Sequence, residues 1–186
     1  SLSWGGTLTP KEYESVSHLI LKQDYYAANQ LVADSCKSTG SLFLSLLIKN
    51  SRMVDYESYK VDGQEFITSA EKAITIFSKS KNDQDVFYTA IILNAKGLCK
   101  VKSDDLVGGI KDSRESASKL NKILQKHPNC ELAKSTLSLY NYYLSTSLKW
   151  IPIVGRSPLI HLRSLEIQAK SNTIQATLIN QSLLWI

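Results

Sequence analysis

The chain has 186 residues, 43% of them hydrophobic and 21% charged, a globular balance in a length that buries roughly 70% of the unfolded surface. Its formal charge of +5 comes from 22 Lys plus Arg against 17 Asp plus Glu, scattered without runs, which disfavours nucleic acid as a partner. Only 8 Gly and 4 Pro are too few for the dense turns of a small-stranded sandwich, and three cysteines without ligand spacing exclude a full disulfide framework.

Residues 1–8 are expected to be a flexible lead-in. Thr9 followed by Pro10 is a helix start, a capping hydroxyl with proline at the first helical position, and Tyr13, Val16, Leu19 and Ile20 continue it to about 22. Asp24 caps a second helix with the stripe Ala27, Ala28, Leu31 and Val32, which Thr39 and Gly40 are expected to end. So short a connection forces an antiparallel hairpin. Ser41 opens a third helix, apolar nearly all round over Leu42–Ile48, and Asp62 with Gly63 breaks it. A partner helix runs from about 64 to 80 on Phe66, Ile67, Ala70, Ala73, Ile74 and Phe77.

Residues 86–101 form another helix apolar on most sides. It contains Cys99 as a small core residue and Gly97, expensive inside a helix by about 1 kcal/mol relative to Ala, which points to close approach by a neighbour. Ser103 and Asp104 start a long amphipathic helix over about 105–126, with Leu106, Ile110, Ala117, Leu120, Ile123 and Leu124 expected to face inward, stopped by His127, Pro128 and Asn129. A helix over 131–147 has two apolar faces and therefore two neighbours. An irregular loop at 148–158 precedes two last helices at about 159–170 and 173–185. Ser1 stands where an initiator Met is absent, the only methionine being Met53, so a removed N-terminus is expected. The apolar end Leu183, Leu184, Trp185 and Ile186 is expected to dock on the domain, to continue, or to join copies of the chain. No apolar run is long enough to span a membrane.

About nine helices in hairpins, each needing the next to bury its faces, predict an all-α solenoid. The residues carry a family resemblance. Lys22-Gln-Asp-Tyr-Tyr-Ala-Ala28 looks like the turn between the two helices of a tetratricopeptide repeat, with Ala28 as its packed alanine. Pro128 fits the repeat-ending proline and Leu137 the packed leucine of the next first helix, while Ser138 and Ser116 stand where the repeat has glycine and alanine. Asn94–Leu98, the long following helix and Leu137–Tyr143 resemble a divergent bacterial group of such proteins. The resemblance implies a single right-handed superhelical domain over 1–186, and an exported or envelope-associated protein, with the cytoplasm as the alternative.

Candidate chemistry is sparse. His18, His127 and His161 have no partner at metal spacing, so neither a metal nor a cofactor is expected. Asp83 with Asp85, and Asp104 with Asp105, sit at helix starts, where acids cap amides. Gly108-Gly109 lacks the context of a phosphate loop. No nucleophile elbow is present, and the chain is read as a non-enzyme. The expected role is a scaffold that holds a peptide, helix or subunit in a groove lined by first helices. Candidate partner-binding residues are Tyr140, Asn141, Tyr142 and Trp150, because tyrosines at these offsets cannot all face one core, together with Lys96, Arg52 and Tyr56. The alternative is an anionic polymer or lipid headgroup bound through the scattered basic residues, among them Lys119, Lys122 and Lys126.

Overall fold

In a computed structural model of the chain, the described residues are 10–33, 38–80 and 82–147. They form seven helices, and no strand occurs among them, so the architecture is all-α: α1 (Pro10–Leu21), α2 (Tyr25–Ala33), α3 (Thr39–Asp55), α4 (Tyr59–Phe77), α5 (Asp83–Lys102), α6 (Leu106–Lys126) and α7 (Glu131–Ser147). The expected lead-in at 1–8, the loop at 148–158 with Trp150, and the helices at 159–170 and 173–185 lie outside the described residues. The chain divides into two compact units, Ser1–Lys119 and Leu120–Ile186.

Local chemistry sets most helix starts. Asp24 Oδ1 accepts the Ala27 amide at 3.0 Å, and Asn82 Oδ1 accepts that of Asp85 at 2.7 Å. Asp105 Oδ1 accepts the Gly108 amide at 2.9 Å. Each satisfies one amide that the helix itself leaves unpaired. Thr39 and Gly40 do not end α2 but open α3. Ser38 and Ser41 cap reciprocally there, the Ser41 amide donating to Ser38 Oγ at 3.1 Å and the Ser38 amide to Ser41 Oγ at 2.9 Å.

A second boundary also differs from expectation. The break after α3 falls at residues 56–58, and Asp62-Gly63 lies inside α4. Gly63 serves packing instead of turning, since a Cβ there would come within 3.0 Å of Cys99 Sγ and 3.1 Å of Ser103 Oγ.

In the first unit α1 packs on α2 and α3, α2 on α3, α3 on α4 and α5, and α4 on α5. α1 and α3 thus each touch the next helix in the chain and the one after it. The first core is Val16, Ile20, Tyr25, Ala28, Val32, Leu44 and Ile48. A second is aromatic: Phe43 stacks on Tyr88 with centroids 4.1 Å apart, and Phe77 meets Tyr88 at 5.7 Å. Such pairs contribute about 0.5–1.5 kcal/mol beyond their burial.

The crossing of α5 and α6 is close, as Gly97 leads one to expect. A Cβ on Gly97 would lie 2.4 Å from Ser113 Oγ and 2.8 Å from the Gly109 carbonyl oxygen. Ser116 is buried and its Oγ donates to the Ala90 carbonyl at 2.6 Å. In the second unit, Ser135 and Thr136 donate to the carbonyls of Glu131 and Leu132 at 2.7 and 2.8 Å, and Ala133 and the free Cys130 are buried.

Candidate functional site

Three turns join first helices to second helices in the first unit, and they share one backbone design. Gln23, Glu57 and Asp104 have φ of 58, 48 and 72°, and they are the non-glycine residues with positive φ among those described. In the first turn the amides of Lys22, Gln23 and Asp24 donate to the carbonyls of His18, Ile20 and Leu19. Those of Tyr56, Glu57 and Ser58 reach Arg52, Val54 and Met53, and those of Ser103, Asp104 and Asp105 reach Cys99, Val101 and Lys100. The bond from the residue after the left-handed position closes a Schellman-type helix end. The following helix starts at once.

Side chains tie these turns into one edge. The Tyr25 hydroxyl donates to Asp55 Oδ2 in a short hydrogen bond, Gln23 Nε2 donates to the same oxygen at 3.2 Å, and the Tyr25 ring meets Tyr56 edge-on at 6.2 Å. Burial first, then the hydrogen bond and charge of Asp55, push the Tyr25 phenol above its ordinary range. Between the second and third turns, Ser103 Oγ donates to the Tyr59 carbonyl at 3.2 Å, and Lys60 pairs with Asp104 at 3.6 Å. Lys102 Nζ lies 5.9 Å from the centroid of the Tyr59 ring.

This edge gathers exposed apolar side chains. Tyr26 is 77% exposed, Tyr56 62%, and Val61 and Val107 82% each, with Leu106 and Val101 also open. All six lie within four residues of a left-handed position, whereas Leu31 and Ile76, the other exposed large apolar residues described, do not. Exposed apolar side chains scattered singly are ordinary, so their concentration at one edge makes this edge the candidate site.

The residues singled out from the sequence fall in different places. Tyr56 and the exposed Arg52 belong to the edge. Lys96 is 7% exposed and engaged with acids of two other helices, Asp112 Oδ2 at 3.3 Å and Glu71 Oε1 at 3.5 Å. Lys100 shares the Asp112 oxygen at 2.9 Å, and this bond holds its ammonium above the ordinary lysine range. Tyr140, Asn141 and Tyr142 are half-buried on α7 in the second unit, and Trp150 is outside the described residues. Lys119 pairs with Glu115 at 3.5 Å.

Sequence reasoning did not single out Tyr26, Val61 or Val107, and it expected Leu106 to face inward, whereas at the first turn of α6 Leu106 is 51% exposed. The signal for Val107 was available in part: it lies in the first turn of α6, directly after the capping Asp105 and Leu106. Among the described residues no group of acidic, histidine and cysteine side chains is arranged to hold a metal, and no helix is long and apolar enough to cross a membrane. No protein-family model, curated protein or solved structure matches this chain.

Proposed function

We propose that the chain is a right-handed, tetratricopeptide-like helix-hairpin repeat that acts without catalysis, by holding another protein against the edge formed by its inter-helix turns. The observation that carries this reading is the recurrence of one turn design at Gln23, Glu57 and Asp104, with the exposed apolar side chains collected beside it. The step from residue 23 to residue 57 equals the ~34-residue period of that repeat, while the step to 104 is longer. The contact order α1 to α3 to α5 is what a stack of hairpins requires, each burying its faces against the next.

The polar groups of the first unit support the same reading. Asp24 and Asp105 are engaged as helix caps, Asp104 with Lys60, and the buried charges Lys96 and Asp112 are paired with each other. The edge itself carries tyrosine and aliphatic side chains, the residue types that give large contact area on ordering few bonds. Cross-linking of the tagged chain in its native host, followed by mass spectrometry, tests the proposal against Tyr56→Glu and Val107→Glu variants. Expected is a protein cross-linked by the parent chain and lost from both variants. A partner set indifferent to both substitutions, or binding to a polyanion that weakens steeply with salt, would overturn it.

A further inference from the structure

We draw no further inference here: the strongest candidate, the surface patch of exposed apolar side chains at Tyr26, Tyr56, Val61 and Val107 beside the inter-helix turns of the first unit, belongs to the edge already described, and nothing in the structure shows what covers it.

Discussion

Gln23 and Glu57 occupy the same left-handed backbone position in the turns that follow α1 and α3, each one step before the residue whose amide closes the preceding helix. Neither is the glycine such a position favours. The cost of holding a residue with a Cβ there is about 1–2 kcal/mol, less for Asp and Asn, whose short polar side chains suit the conformation.

Replacing these residues by glycine separates the turns by chemistry. Gln23→Gly and Glu57→Gly are each expected to stabilise the fold by about 0.5–1 kcal/mol, the relief of strain exceeding the added freedom of the unfolded chain. Asp104→Gly is expected to change stability by less than about 0.5 kcal/mol, since aspartate tolerates the position and its pair with Lys60 is exposed. Glu57→Val, with a branched Cβ, should cost more than about 1 kcal/mol. Urea unfolding midpoints measure all four; equal responses at 57 and 104 would refute the assignment.

The glycines at the start of α6 and in α5 give a second, opposed pair. Gly97→Ala places a Cβ against backbone, the Gly109 carbonyl at 2.8 Å, as well as Ser113 Oγ at 2.4 Å. Overpacking of that kind costs about 1–3 kcal/mol and outweighs the ~1 kcal/mol gained in helix propensity. Gly108→Ala meets only the Asp105 carboxylate, at 2.1 Å, which rotates away and forfeits a cap of about 1 kcal/mol, so the two effects offset. Thermal melts should show Gly97→Ala well below the parent and Gly108→Ala within a few degrees of it.

The ion group around Asp112 predicts an order of effects. Asp112→Ala leaves two ammonium groups, Lys96 and Lys100, without the oxygen they share, and is expected to cost about 3–5 kcal/mol. Lys96→Met keeps the aliphatic stem in its apolar surroundings and leaves Asp112 paired with Lys100, so a loss below about 1.5 kcal/mol is expected. Equal losses for the two variants, by urea titration, would mean that the charges contribute nothing beyond packing.

How much of this was legible follows from where the chain uses conventional signals. α1, α6 and α7 begin or end at Pro10, Asp105 and Pro128, and their limits are read almost residue for residue. The turn at 56–58 has neither glycine nor proline, because Glu57 bears the positive φ, while the Asp62-Gly63 pair that resembles a turn is a packing contact inside α4. At the edge, Tyr56 stood out because it lies among polar residues. Val61 and Val107 did not, since a valine in a helix is assigned to the core unless the three-dimensional face is known. Lys96 was misplaced for the converse reason: its acids sit in α4 and α6, and no local pattern reveals a pair formed between helices.

The aromatic core gives an alkaline limit to stability. Burial, opposed by the Gln84 hydrogen bond at 2.5 Å and assisted by the charges of Asp85 and Tyr13, leaves the Tyr88 phenol pushed up to about 12, and Tyr25 is raised as well. Below pH 10 folded and unfolded chains both keep these protons, and the contribution is complete. Between about pH 10 and 12 the unfolded chain releases the Tyr88 proton while the folded chain retains it, so stability falls as pH rises, by up to about 2–3 kcal/mol for this residue. Tyr88→Phe removes the ionisable group, so its urea midpoint should fall less between pH 8 and pH 11 than that of the parent, although it starts lower for want of the Gln84 bond. Absorbance at 295 nm should show Tyr25 and Tyr88 ionising only as the chain unfolds. If parent and Tyr88→Phe lost equal stability over that interval, the phenol would not be held neutral in the stack between Phe43 and Phe77.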